Sequence, residues 1–141
     1  MSAGRTGGKG ETVSDENDKE NESPAYRSGR LWGALHTLRV LGGVPMKGKL
    51  AHDSRLRMAE RQPGLHIPRQ LNKATKHLVA ARRRGARHGK AADEVLKAVL
   101  ESIPGDGGFP QTYDAAQRKE FRDGFRAQKG TYAAAYRALL R

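Results

Sequence analysis

Residues 23–43, SPAYRSGRLWGALHTLRVLGG, carry the signals of one amphipathic helix together with both of its ends. Ser23 and Pro24 supply the side-chain oxygen and the fixed φ that suit an N-cap and a first helical turn. Four leucines then recur at steps of three or four residues, as on one helix face: Leu31, Leu35, Leu38 and Leu41. Gly42 and Gly43 follow them and stop the run. The sequence therefore predicts a helix from Pro24 to the residue before Gly42.

Two further helices are predicted downstream of this one. The first covers about residues 47–60, is less apolar, and is closed by Pro63 and Gly64. The second is entered through Pro68, and its apolar side chains step by four, three, four and three residues. These side chains are Ile67, Leu71, Ala74, Leu78 and Ala81. We expect them to form the core side of a single helix.

The last third of the chain predicts helices separated by one clear loop at 104–108, PGDGG. The helix before the loop covers about 90–103, with inward side chains at Val95, Leu96, Val99, Leu100 and Ile103. The helix after Phe109 and Pro110 is traced by Tyr113, Gln117, Phe121, Phe125 and Gln128. A short last helix is traced by Tyr132, Tyr136, Leu139 and Leu140.

No segment shows sustained strand alternation, so the predicted class is all-α. Residues 24–141 are expected to form one compact bundle of five or six short helices. Residues 1–23, rich in glycine and acidic side chains, contain Val13 as their one bulky apolar residue apart from Met1. Such a segment cannot bury enough surface to offset its ordering entropy, which predicts a disordered tail.

Positive charge is concentrated in the middle of this 141-residue chain, which has 27 Lys and Arg against 15 Asp and Glu, a net charge of +12. Residues 26–90 hold sixteen bases and only two acids, Asp53 and Glu60. The segments on either side are net acidic or nearly neutral. A block this one-sided repels itself on folding unless a polyanion neutralises it, and nucleic acid is the commonest cytoplasmic polyanion.

The third predicted helix carries a basic stripe about 200° round the axis from its apolar face. This stripe consists of Arg69, Lys73, Lys76 and Arg83. Basic side chains crowd the C-terminal end of the same helix, before Gly85 and Gly89 break it: Arg82, Arg83, Arg84 and Arg87. Arg55, Arg57 and Arg61 of the preceding helix complete the predicted nucleic-acid contacts.

Aromatic residues are missing from this basic block, since residues 33–108 contain no Phe, Tyr or Trp. Proteins that read single strands by base stacking interleave aromatic platforms with their charge. The expected mode is therefore phosphate contact that is nearly indifferent to sequence and depends steeply on salt.

Catalytic and metal-binding patterns are missing from the sequence. The chain has no cysteine, and its five histidines lie 11 to 16 residues apart, without the short helical spacing of a metal site. Acids at Asp93, Glu94, Glu101, Glu120 and Asp123 are expected to pair with Lys97, Arg118, Lys119 and Arg122 on solvated helix faces. The sequence predicts a non-enzyme without metal or cofactor, located in the cytoplasm and neither secreted nor membrane-spanning.

Three short motifs, in this order, resemble one known family. The first is Tyr26-x3-Arg30-Leu31-Trp32-x2-Leu35, and the second is Pro63-x3-Ile67-Pro68-Arg69-x-Leu71 with His77-Leu78. The third is Phe109-Pro110 followed by Phe121-x2-Gly124-Phe125-x2-Gln128. Together they are similar to the C-terminal region of the large subunit of the type I-C CRISPR surveillance complex, Cascade, over residues 24–129.

The resemblance implies a free-standing small subunit of a type I-C Cascade. Small subunits line the complex beside the proteins that hold the crRNA, and they use basic surfaces to stabilise the DNA strands of the R-loop. The implied partners are those DNA strands or the crRNA, together with other Cascade subunits and further copies of the chain. Two alternatives stay open from the residues alone: a helical module that docks an acidic protein, and a helix-turn-helix DNA-binding regulator.

Overall fold

The computed structural model describes residues 22–44, 48–106 and 108–140, with residues 48–53 described by their backbone alone. These residues form six α-helices and one short 3₁₀ turn. The helices are α1 (Pro24–Leu41), α2 (Gly48–Arg61), α3 (Pro63–Asn72), α4 (Ala74–Arg84), α5 (Ala86–Glu101) and α6 (Ala115–Ala135), followed by the turn Arg137–Leu139. The prediction of an all-α compact bundle is confirmed. Residues 1–21 of the predicted disordered tail lie outside the described residues.

Helix α1 forms as the sequence predicts. The Ser23 hydroxyl accepts a hydrogen bond from the Tyr26 amide at 3.1 Å, and Pro24 occupies the first turn. At the other end the Gly42 amide donates to the Leu38 carbonyl, and Gly43 adopts a φ of +89°, a left-handed conformation that favours glycine. The four leucines of the predicted face, Leu31, Leu35, Leu38 and Leu41, are all buried.

Helices α1 and α6 pack backbone against backbone at the centre of the bundle. A Cβ atom on Gly29 would overlap the Phe121 carbonyl oxygen, and one on Gly124 would overlap the Tyr26 carbonyl oxygen. Phe121 and Phe125 project from the same crossing into the core, where both are at most 2% exposed. The close approach depends on the missing side chains of the two glycines, since any Cβ there meets main chain that cannot rotate away.

The prediction of a single helix across residues 67–81 is wrong, because the segment forms two helices, α3 and α4, joined at Lys73. Pro63 and Gly64 do not close α2 but open α3, in which Pro63 occupies the first turn and Pro68 lies inside the helix. The last turn of α3 tightens as the Lys73 amide donates to the Gln70 carbonyl at 3.0 Å. Both helices bury residues at helical spacing, so the apolar pattern runs through the break.

The other helix ends also differ from the prediction in places. Helix α5 begins at Ala86, and Gly89 lies inside it, where its missing side chain lets Arg82 of α4 approach closely. Leu100, predicted to point inward, is 61% exposed. The two predicted C-terminal helices are one, since α6 continues through Tyr132 to Ala135. A capping box at Asp114 fixes the start of α6, with the Gln117 amide donating to Asp114 at 2.8 Å.

Candidate nucleic-acid interface

Cations from four helices converge near the C-terminal end of α1. Arg39 comes from α1, Arg55 from α2, Arg69 from α3 and Lys76 from α4. Their mutual influence shows in the pKa of Arg39, which burial and then the charge of Arg55 hold below its usual value. Burial also lowers the pKa of His66, with the charges of Arg69 and Arg55 adding to the effect.

His77 lies among the same cations. Burial and the charges of Arg39, Lys76, Lys73 and Arg55 together lower its pKa to about 4. We call the seven residues the cationic cluster: Arg39, Arg55, His66, Arg69, Lys73, Lys76 and His77. No carboxylate among the side chains that the structure describes offsets these charges at Arg39, His66 or His77. The cluster is a concentration of like charge gathered by the fold.

His77 gives the cluster a measurable dependence on pH. Its side chain is 6% exposed, and Nε2 has no hydrogen-bond partner among the described residues. The folded pKa of about 4 lies below the usual 6.5, so the unfolded chain binds the proton more tightly. The stability contributed by neutral His77 is therefore complete above pH 6.5 and is lost as the pH falls through about 4.

Because a glutamine side chain cannot titrate, we expect the free energy of unfolding of His77→Gln to fall less steeply with decreasing pH than that of the wild type. The measurement is the free energy of unfolding by urea at several pH values between about 7 and 4, for the wild type and the variant. The wild type should lose more stability than the variant over this interval. Parallel curves would mean that His77 is protonated equally easily in the folded and unfolded chains.

Two of the arginines of α4 that were predicted to contact nucleic acid bond other parts of the protein instead. Arg82 Nη2 pairs with Asp93 of α5 at 2.8 Å. Arg84 Nη1 donates to the carbonyl oxygens of Val40 and Leu41 at 3.1 and 2.9 Å, and so caps the C-terminus of α1. Arg82 and Arg84 thus hold helices together.

Other predicted contacts project from the fold without such a role. Arg69, Lys73, Lys76 and Arg83 are exposed, and none of their side chains forms a hydrogen bond or salt bridge with any described residue. Arg87 is also exposed and lines a cavity of about 320 Å³ between α5 and the C-terminal turn, beside Lys90, Glu94 and Tyr136. The predicted basic stripe is therefore exposed, although it is carried by two helices instead of one.

Arg57 and Arg61 belong to a second concentration of charge. The buried side chains of α2, Leu56, Ala59 and Glu60, define its inner face. At 100° per residue, Arg55 lies on one flank of this face, and Arg57 and Arg61 lie on the other. In agreement, Arg55 contributes to the lowered pKa values in the cationic cluster, and neither Arg57 nor Arg61 does. The three arginines predicted as one group therefore divide between two sites.

The second site is a cavity of about 400 Å³ between α2 and α6. Five arginines line it, and we call it the arginine groove: Arg57 and Arg61 from α2, with Arg118, Arg122 and Arg126 from α6. Among the described side chains that line it, the one carboxylate is Glu60, which is 5% exposed and accepts a hydrogen bond from Arg122. Arg118 donates to the Tyr113 carbonyl at 2.8 Å. The described lining therefore carries five positive charges against one negative charge.

Sequence reasoning missed the part of this groove that α6 contributes. It assigned Arg118 and Arg122 to ion pairs with acids on solvated helix faces, whereas Arg118 bonds a backbone carbonyl and Arg122 pairs with Glu60 of α2. Asp123 does pair with Lys119, at 2.9 Å. The available signal was the spacing of Arg118, Arg122 and Arg126, which places the three arginines on one side of a helix.

Within the parts of the chain that the structure describes, no three or more His, Cys, Asp or Glu side chains gather in a way that could hold a metal ion. No helix there is long and apolar enough to cross a membrane. Searches of protein-family models, curated proteins and solved structures found no match to this chain.

Proposed function

We propose that this protein is a non-catalytic subunit that binds the phosphate backbone of nucleic acid through the cationic cluster. The observation that carries the proposal is the convergence of Arg39, Arg55, Arg69, Lys73 and Lys76, with no compensating carboxylate at Arg39 or His77 among the side chains that the structure describes. Assembling like charges costs free energy in the isolated protein, and a polyanion that neutralises them recovers it. Bound phosphates would release counterions from the nucleic acid as well.

The composition of the cluster favours backbone contact over base reading. Its exposed members are arginine and lysine, whose charge matches phosphate oxygens irrespective of sequence. Bidentate recognition of adenine uses Asn or Gln, and stacking on splayed bases uses aromatic rings. The cluster contains no Asn, Gln, Phe, Tyr or Trp, and its only rings are the imidazoles of half-buried His66 and buried His77. We expect binding that is nearly independent of base sequence.

We further propose that the nucleic acid is that of a type I-C-like CRISPR surveillance complex, of which the chain is a small subunit in the cytoplasm. The three motifs of the resemblance contact each other in the fold. The Arg30 Nε donates to Gln128 Oε1 at 3.0 Å, joining the first motif to the third. The Gly64 amide, inside the second motif, donates to the Pro110 carbonyl at 2.9 Å. The three motifs therefore belong to one packed unit, as the resemblance requires.

A small subunit would also need surfaces for other Cascade subunits or for further copies of the chain. Large apolar side chains are exposed at Met58, Leu65, Val79 and Leu100, by 39 to 61%. Burial of such side chains against a partner is favourable at about 25 cal/mol per Å². Such contacts would add apolar burial to the phosphate contacts of the cationic cluster.

The test of backbone binding is the triple variant Arg69→Gln, Lys73→Gln, Lys76→Gln. All three side chains are exposed and form no internal hydrogen bond or salt bridge with the described residues, so the fold should remain. We expect affinity for a fluorescein-labelled oligonucleotide, measured by anisotropy, to fall about tenfold for every sequence tried. The slope of log affinity against log salt should decrease by about two.

The matched control removes three exposed charges of α5 and the C-terminal turn, outside the cationic cluster and the arginine groove, with Lys90→Gln, Lys97→Gln and Arg137→Gln. It changes the net charge equally and should retain most of the affinity. Equal losses in both triple variants would mean that only overall charge matters and would reject the cluster as a site. Retention of oligonucleotide affinity in the cluster variant, with loss of binding to polyglutamate, would favour the docking of an acidic protein instead.

A further inference from the structure

We infer that the arginine groove is a second phosphodiester-binding site, so that one molecule holds two separate segments of nucleic acid. The inference rests on the proposed function, because it assumes that the polyanion is nucleic acid. It adds a site that the cationic cluster does not include, with its own residues and its own measurable stoichiometry.

The spacing of the arginines favours a polyanion with regularly repeated charges. Arg118, Arg122 and Arg126 follow each other at four-residue steps along α6, and each step advances about 6 Å along the helix axis. Arg57 and Arg61 repeat the same step on α2, on the other side of the cavity. Two rows of regularly spaced guanidinium groups therefore line one groove. A phosphodiester backbone offers one charge per nucleotide, whereas acidic side chains in a peptide have no fixed repeat.

The chemistry of the lining also distinguishes this site from the cationic cluster. Every described cation that lines the groove is an arginine, whose planar fork can contact two oxygens of one phosphate. Arg118 and Arg122 are held in place by the Tyr113 carbonyl and the buried Glu60 carboxylate. The side chains of Arg57, Arg61 and Arg126 form no hydrogen bond or salt bridge with a described residue. The groove thus combines two positioned guanidinium groups with three that can turn toward a ligand.

Helix α2 separates the two sites. Arg55 lies on the flank of its buried face that turns toward the cationic cluster, and Arg57 and Arg61 lie on the flank that lines the groove. A short oligonucleotide bound along one flank leaves the other flank accessible. Two short strands should therefore bind at the same time, one at each site.

The experiment measures how many short strands one protein molecule binds. An oligothymidylate of about six nucleotides is titrated into the wild type at low salt, and the complexes are counted by native mass spectrometry. We expect two strands on the wild type and two on the control variant with Lys90→Gln, Lys97→Gln and Arg137→Gln. One strand is expected on the groove variant with Arg57→Gln, Arg61→Gln and Arg126→Gln, and one on the cluster variant.

The possible outcomes distinguish the two proposals. Two strands on the groove variant with unchanged affinity would overturn the inference and leave the cationic cluster as the nucleic-acid site. Wild-type binding by both triple variants would overturn the proposed function as well. A groove variant that loses polyglutamate binding, but still binds two strands, would assign the groove to an acidic protein and likewise overturn the inference.

Discussion

Gly124→Ala is expected to lower the free energy of unfolding by about 3 kcal/mol, although it adds one methyl group. The new Cβ would overlap the Tyr26 carbonyl oxygen and would come 3.1 Å from the Arg30 amide nitrogen. Both atoms are main chain of α1, so no side-chain rotation can relieve the overlap. The two helices must move apart, and the packing of Phe121 and Phe125 beside the crossing is disturbed with them. Overpacking of this kind exceeds the gain in helix propensity of about 1 kcal/mol.

The same helix provides a control in which an identical substitution has the opposite sign. Gly130 lies six residues further along α6, is exposed, and has open space where a Cβ would be added. Gly130→Ala should therefore gain up to about 1 kcal/mol from helix propensity alone. For a domain of this size, Tm should fall by about 12 °C for Gly124→Ala and rise by about 4 °C for Gly130→Ala. Thermal unfolding followed by circular dichroism measures both.

Equal stabilisation by the two substitutions would show that α1 and α6 do not cross in backbone contact. Gly29→Ala offers an independent check from the other helix, because its Cβ would overlap the Phe121 carbonyl oxygen. It should resemble Gly124→Ala in sign and size. The two glycines report on one crossing, so their effects should be less than additive when the substitutions are combined.

Local signals explain why α1 could be predicted closely from the sequence. The Ser23 cap, the leucine face and the Gly43 stop all lie in the helix or directly beside its ends. Each acts on residues no more than four positions away. The division between α3 and α4 has no such signal. Lys73 keeps a right-handed backbone, with φ of −94° and ψ of −5°, and no glycine or proline marks the break. The apolar positions on either side continue at helical spacing because both helices face the same core.

The candidate sites could not be predicted in full, because they depend on tertiary contacts that the periodicity of the sequence does not reveal. Arg84 was predicted as a phosphate contact because it is one of three consecutive arginines, yet it caps α1 through the Leu41 carbonyl, 43 residues earlier in the chain. Arg55 and Arg57 are two residues apart and were predicted as one group. Which flank of α2 meets α6 is decided by tertiary packing, so their separation into two sites follows only from the fold.

The amino-acid composition nevertheless indicated that like charges would lie close together in the folded chain. The net charge of residues 26–90 required like charges to be close together in any compact arrangement, since Asp53 and Glu60 are their only acids. The fold gathers part of this charge at the C-terminal end of α1 and another part beside α6, where arginines of the nearly neutral C-terminal segment increase it. Part of the excess positive charge is thus gathered at two places, while Arg83 and Arg87 are exposed outside both of them.

Arg122→Met is expected to cost about 2 kcal/mol of stability, more than the loss of its partner Glu60. Glu60 is 6% exposed at its side chain, whereas Arg122 is 35% exposed. Without Arg122 the carboxylate stays buried without its partner, and stranding a buried charge is costly. Without Glu60, the guanidinium can still reach water, so Glu60→Met alone should cost about 1 kcal/mol. The partial exposure of Arg122 is the reason for expecting less than a fully buried pair would lose.

A double-mutant cycle measured by urea denaturation separates the stranded charge from the pair itself. The variant with both Glu60→Met and Arg122→Met has no buried charge and should lie within about 1 kcal/mol of the wild type. If Arg122→Met alone proves neutral, another arginine of the groove has taken over the carboxylate, and Glu60 is then shared across the lining instead of being held by one residue. The difference between the two single variants therefore tests whether Glu60 is bound by Arg122 alone. If it is, the charges of the other four arginines in the groove are not neutralised by this carboxylate and remain available to a ligand.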